Sequence, residues 1–245
     1  MLTALFSLFL LVAADDPREA ELRRTAFEEH TAGRRISPDH GKAMVHYRKA
    51  HQAYVRWFGA YGNAETGEAY QMHYAYAELM YTLKDYGAAY DHYNHVVALD
   101  PSGRHSRFCA ESAVFAAEEY LKTKPKAEEY GPDQASLVEA CDTYVRMYPE
   151  DKKAQSIAYK GAYLLYGHMR LEDATPRLRA VVAMDPTTRI ARDAANLTLD
   201  ALIIEEKWGA LRDTAAEFIG IAELGDRAFR EDLVVVQTRA EARLR

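Results

Sequence analysis

The nine histidines and two cysteines are the side chains with the widest chemical reach in this chain of 245 residues. His92 and His95 stand three apart and share a face if the segment is helical, and His73 precedes them on what reads as the neighbouring helix. Zinc takes histidines so placed when a third or fourth ligand converges on it. The three read instead as surface histidines of a tyrosine-rich segment, and His46 and His51, five apart, do not share a face, so no metal is expected. Cys109 falls early in a helix and Cys141 in the helix expected beside it. In an oxidising compartment the two pair if their Cα atoms lie within ~7 Å; otherwise they are two separate, buried small residues. A nucleophilic cysteine needs a neighbouring base and a depressed pKa, and neither is legible here. Adjacent carboxylates recur at Glu28-Glu29, Glu118-Glu119, Glu128-Glu129 and Glu205-Glu206. Neighbours on a helix diverge by ~100°, which makes them solvated faces rather than acid–base pairs. No G-x-S-x-G, phosphate-binding glycine loop or H-E-x-x-H occurs. The expectation is a protein that is not an enzyme and carries no cofactor.

Composition narrows the classes further. Hydrophobic residues make up 49% and charged residues 28%, a globular balance that excludes fibrous and wholly disordered chains. Lys and Arg number 31 against 37 Asp and Glu, a net charge of −6, so the basic footprint of a nucleic-acid binder is missing. Two cysteines are too few for a disulfide framework.

Residues 1–14, MLTALFSLFLLVAA, carry no charge and are shorter than the ~20 apolar residues of a membrane span. They match a signal-peptide core, with Val12-Ala13-Ala14 at the cleavage point, although no Lys or Arg precedes the run. No cysteine follows to carry a lipid. The reading is export with cleavage after Ala14, which in a bacterium with two membranes leads to the periplasm. The alternative is a buried terminal helix in a cytoplasmic protein.

From Asp16 onward the apolar spacing is helical. Ile190, Ala194, Leu197, Ala201 and Ile204 form one stripe of a 3.6-residue period, and Phe229, Leu233, Val236 and Ala240 form another. Period-2 alternation is nowhere sustained, and most Pro and Gly residues fall between the stripes. An all-α chain follows. It also repeats itself: Val96-Val97-Ala98-Leu99-Asp100-Pro101 returns as Val181-Val182-Ala183-Met184-Asp185-Pro186. Ala89 and Tyr93 precede the first copy at the distances at which Ala174 and Leu178 precede the second, and Ala77 matches Ala162 in the helices before.

These residues resemble the tetratricopeptide repeat (TPR), a ~34-residue helix–turn–helix unit with small residues at the helix crossing, a large residue facing them and a closing proline. Residues 70–103 and 155–188 look like two clear units. Residues 104–151 look like a third, widened by about ten residues around 123–132 that either bulge out of the stack or lengthen a helix. A degenerate pair follows over 188–222, with helices near 188–205 and 208–221, and then a helix over 225–244 that caps the stack or meets its continuation in a longer chain. The likeness covers most of 40–222 within a single domain of 15–245. One departure is alanine where the family's first crossing usually carries glycine.

The resemblance implies a TPR-like α-solenoid of stacked antiparallel helix pairs, and a non-enzymatic scaffold that binds a peptide or protein partner in a groove lined by the first helix of each pair. By position this puts Tyr74, Tyr81, Tyr159, Tyr163 and Tyr166 in the groove, five of the chain's 17 tyrosines. Tyrosine combines a large ring with a hydroxyl at low entropic cost, which suits recognition. Tyr54, Trp57, Phe58 and Tyr61 crowd a helix end where the first full repeat is expected to dock. Among exported bacterial members the likeness points to envelope assemblies; the alternative is a cytoplasmic helical-repeat domain of a larger regulator or enzyme.

Overall fold

A computed structural model of the chain describes residues 16–36, 40–62, 67–125 and 129–245. The apolar run at 1–14 lies outside them. Among the described residues all regular structure is helical, as the spacing predicts. The chain divides into two compact units, the first ending at Cys109 and the second starting at Ala110.

The first unit holds two antiparallel helix pairs, α1 (Pro17–Ile36) with α2 (His40–Tyr61) and α3 (Gly67–Thr82) with α4 (Tyr86–Leu99), and the start of α5 (Ser106–Thr123). The second holds the rest of α5, then α6 (Pro132–Met147), α7 (Ala154–Gly167), α8 (Leu171–Met184), α9 (Arg189–Ile204), α10 (Trp208–Gly220) and α11 (Arg227–Arg243). In the widened unit, α5 ends at Thr123 and α6 begins at Pro132, so of the described residues in the 123–132 stretch only the first and last belong to helices. Gly131 then caps α6, with Pro132 in its first turn and the Gln134 side chain accepting from the Gly131 N–H at 3.0 Å. The Tyr130 ring lies against Arg170, whose guanidinium sits 5.0 Å from its centre.

The crossings are small because the helix axes must come close. Ala77 and Ala162 are 0% exposed, as are Ala89 and Ala174, and Tyr93 and Leu178 cover the same two sites beside them. The degenerate pair exchanges the sizes. Leu211 stands where Ala89 and Ala174 stand and Ala215 where Tyr93 and Leu178 stand, both buried. Volume is thereby conserved across the pair, which a packed core tolerates best. Phe218, Leu224, Phe229 and Leu233 close the core of the second unit, where α10 meets α11.

Three of the turns inside pairs are built alike, and glycine is absent from all three. Lys84, Met169 and Glu206 each take the left-handed conformation, with φ of 62°, 58° and 53°. The N–H of the next residue reaches back to the helix in every case: Asp85 to the Met80 carbonyl, Arg170 to Leu165 and Lys207 to Leu202, each at 2.9 Å. This is the Schellman closure, which satisfies carbonyls that the helix end leaves open. Its left-handed residue is usually glycine, because a Cβ there costs roughly 1–2 kcal/mol.

Repeat ends share a second device. Asp100 and Asp185 are extended, as a residue before proline must be. The Asp100 carboxylate accepts from the N–H and hydroxyl of Ser102 at 3.2 and 3.0 Å, and that of Asp185 from Thr187 at 3.0 and 2.6 Å. The Asp-Pro signature is thus a turn with its own hydrogen bonds as well as a helix stop. Pro176 lies inside α8 without ending it, on the exposed side, where water can take the carbonyl its missing N–H leaves open.

Met169 is 62% exposed, so its side chain contributes little packing to offset its backbone conformation. Met169→Gly is expected to stabilise the protein by about 0.5–1 kcal/mol, the left-handed relief exceeding the added unfolded-state entropy. Denaturant unfolding at unchanged slope measures it, and a loss of stability would contradict this account of the turn.

Candidate interaction surfaces

In the first unit, the first helices of successive pairs enclose a cleft of about 280 Å³. Phe27, His30, Thr31 and Arg34 of α1 line one side, Gln71, Tyr74 and Glu78 of α3 the other, and Arg104 and His105 close it ahead of α5. Tyr74 is held in place by stacking: its ring lies 3.9 Å from that of His105 at 9°, with Phe108 edge-on at 6.1 Å. Burial and then the Glu78 carboxylate raise the Tyr74 pKa, while Arg34 and Arg104 pull the other way. Glu78 is itself fixed from behind by the hydroxyl of Tyr93. Tyr81, seven residues further along the same face, packs edge-on to Tyr86 at 5.2 Å and braces the turn of its own pair.

The α1–α2 pair explains the aromatic crowd at the end of α2. Trp57 Nε1 donates to Glu19 at 2.8 Å and the Tyr61 hydroxyl to Asp16 at 2.6 Å, tying α2 to the start of α1. Phe58 faces the next pair and packs on His73, Tyr76 and His92, with ring centres 4.6–5.4 Å away. The docking expected of Phe58 is therefore found. That residues 17–36 pair with α2, and so bring Phe27 and Arg34 to the cleft, was not legible, because α1 lacks the Ala and Pro marks of the later units.

In the second unit Tyr159, Tyr163 and Tyr166 share a face of α7. Tyr163 is 55% exposed, with the ring of Tyr159 beside it at 5.8 Å. Tyr166 leans away and donates its hydroxyl to Asp200 of α9. That carboxylate is the main reason the Tyr166 phenol is raised to about 12, since a phenolate beside it would be repelled. On the other flank Lys153 pairs with Glu111 and Lys160 with Glu118 of α5. Burial pushes the Glu118 carboxyl up, but Lys160 and Lys122 outweigh it and hold the group below its ordinary range. The exposed Phe115 ring lies 6.0 Å from the Lys160 ammonium. The face of first helices in this unit thus carries exposed aromatic rings together with inter-helix polar rungs. Phe115 was missed in the sequence, where the widened repeat blurs the register.

The side chains that opened the chemical question resolve as packing. Cys109 and Cys141 are free and buried, and burial pushes both thiols up to about 12, far from a reactive thiolate. Glu118 and Glu119 both bind Lys122, and Glu29 binds His46 and Lys49. Among the described residues no group of three or more His, Cys, Asp or Glu side chains is arranged to hold a metal ion, and no helix is long and apolar enough to cross a membrane. His73, His92 and His95 do come together: Phe58 packs on His73 and His92, while His95 stacks on His73 and stays exposed as expected of a surface histidine.

The crossings, the turns and the pairing of successive helices define the class: an all-α, TPR-like solenoid of stacked antiparallel helix pairs. No protein-family model and no curated protein matches the sequence. Among solved structures the chain is similar to a MamA RS-1 ArsTM double mutant, at 11% identity over 94% of this chain and 97% of that one, with a TM-score of 0.40. It is also similar to a kinesin light chain of Podosopora anserina with nearly identical TPR-like repeats, at 10% identity, 93% and 98% coverage and a TM-score of 0.41. A third is BtubC from P. vanneervenii, at 12% identity, 94% and 93% coverage and a TM-score of 0.35.

Asp200→Asn removes the charge beside Tyr166 and keeps an acceptor. The phenol is expected to titrate lower, back towards the ordinary tyrosine value near 10. Ultraviolet titration against wild type and Tyr166→Phe isolates that one ring, and an unmoved titration would exclude the Tyr166–Asp200 bond in solution.

Proposed function

We propose that this chain is a non-enzymatic scaffold that binds a peptide or protein along the face of its first helices. The observation that carries the reading is the exposed Tyr163 ring beside Tyr159 on α7, in a unit whose Phe115 is also exposed, against Lys160. Large rings with a polar tip, ordered in advance by their neighbours, are what an interface uses as anchors. Tyr74 offers a second anchor above its own cleft. Tyr81 and Tyr166 hold the structure behind these rings, since both are engaged by other repeat residues.

Two further parts of the proposal rest on sequence. The uncharged run at 1–14 supports export with cleavage after Ala14, and an exported scaffold of this class fits a cell-envelope assembly in a bacterium. A cytoplasmic repeat domain of a larger regulator or enzyme is the alternative. The absence of a basic footprint argues against nucleic acid as the partner.

The experiment is crosslinking in the native cells with a photoreactive residue at position 163, followed by mass spectrometry of the captured partner and of the chain's own N-terminal peptide. A partner captured at 163 should bind Tyr163→Ala at least about tenfold more weakly, with an unchanged melting temperature. Equal affinity would remove Tyr163 from the interface. A peptide beginning at Asp15 supports export, and one retaining Met1 refutes it.

A further inference from the structure

The histidine cluster of the first unit has no part in that reading, and its geometry is unusual. The Nδ1 atoms of His73 on α3 and His92 on α4 lie 2.7 Å apart. One ring must donate and the other accept, so the pair holds at most one added proton without losing the bond. His95, three residues beyond His92, lies parallel to His73 with ring centres 4.7 Å apart. From α2, Phe58 covers His73 and His92 at 4.6 and 4.8 Å. Tyr76 of α3 stands edge-on to His92 at 4.6 Å, its hydroxyl 3.0 Å from Nδ1 of His51 on α2.

The charges around the cluster do not favour a cation inside it. His73 is only 6% exposed, and neither its ring nor that of His92 has a carboxylate among its hydrogen-bond partners. Among the described residues, two carboxylates lie in electrostatic reach of the cluster: Asp85, which acts on Tyr76, and Asp91, which acts on the exposed His95, whose Nδ1 meets the main-chain carbonyl of Asp91 at 2.8 Å. His51 from α2 adds another imidazole. Burial, and after it the neighbouring histidines, hold His73 down to about 3 and His92 to about 4.

We propose that His73 and His92 form an acid-sensitive latch, closed over Phe58 by an uncharged imidazole pair at neutral pH and opened locally between α2 and the α3–α4 pair on acidification. A histidine released from the packing takes up a proton near pH 6.5, whereas in the closed state His73 and His92 refuse one until far lower pH. The open form therefore binds more protons between about pH 6.5 and 4. Protection is complete above that window and is lost as pH falls through it. Each of the two buried rings favours opening by on the order of tenfold at pH 5.5, one unit below its free value. His30, buried between α1 and α2 and also held down to about 4, acts in the same direction on its own pair. The test is accordingly confined to α3 and α4. Opening there loosens the helix that carries Tyr74, so the latch touches the cleft without depending on what the cleft binds.

Hydrogen exchange of the whole chain, followed by mass spectrometry at pH 7.5 and 5.5 and corrected for intrinsic rates, reads the latch directly. Peptides within 67–99 should lose at least tenfold more protection than those within 189–220, which contain no histidine. Equal losses, or none in 67–99, overturn the proposal. His92→Phe keeps a ring in place and cannot take a proton, and should remove about tenfold of the acid response; an undiminished response also overturns it. Should that variant fail to fold, imidazole resonances of the wild-type protein decide. His73 and His92 should not titrate above pH 5 while folded, and a titration of both near 6.5 with α3 and α4 still protected refutes the latch.

Discussion

Two antiparallel helices of this chain can share a core only where their axes come close, and that distance is set by what lies between them. At Ala77 and Ala162 there is room for a methyl group and little more. A larger residue at either point would part the helices and uncover the rows of Val96 and Val97 or Val181 and Val182 behind them. The remaining features serve this approach. Tyr93 and Leu178 fill the volume the alanines leave, and the Schellman turns reverse the chain in the few residues available. Closely packed interiors transmit a change at one crossing to the neighbouring contacts, which is why the degenerate pair changes size at two positions together.

Side chains of the first helices that do not point into the core fall into line across neighbouring pairs. On the first unit this gives a cleft holding the stacked Tyr74 and His105, and on the second the neighbouring Tyr159 and Tyr163 rings. The rungs between helices, Lys153–Glu111, Lys160–Glu118 and Tyr166–Asp200, are exposed enough that each contributes at most about 1 kcal/mol. Their larger effect is on register, since they fix which turn of one helix stands beside which turn of the next.

Much of this was legible in the sequence because repetition multiplies weak signals. One Val-Val-Ala-x-Asp-Pro means little; two copies at a constant distance, each preceded by alanines at the same offsets, specify a unit and its crossings. The boundaries of α9 and α10 fall within one residue of the spacing-based reading. The α1–α2 pair stayed hidden because it is held by Trp57, Tyr61 and Tyr54, whose partners Glu19, Asp16 and His30 lie 24 to 45 residues away and follow no period. The left-handed turn residues were hidden for a related reason: Lys84, Met169 and Glu206 carry side chains, and only the hydrogen bonds around them reveal the conformation. Among the tyrosines, sequence could place five on the correct helices but could not separate exposed Tyr163 from Tyr81 and Tyr166, which neighbours engage. The histidines show the same limit: spacing put His92 and His95 on one face, while the arrival of Phe58 from another pair covers His92 and leaves His95 exposed.

The rungs of the second unit have a mechanical consequence. Three of them join α5, α7 and α9 across repeats, while Arg177–Asp142 and Arg179–Glu217 do the same for α6, α8 and α10 on the other side. Each resists sliding of one pair along the next more than it resists separation, because the apolar core already opposes separation. The ion pairs among them are weakened by counter-ions, whereas the core beneath them is not. Under load along the stack, this unit is therefore a spring whose shear stiffness falls as ionic strength rises.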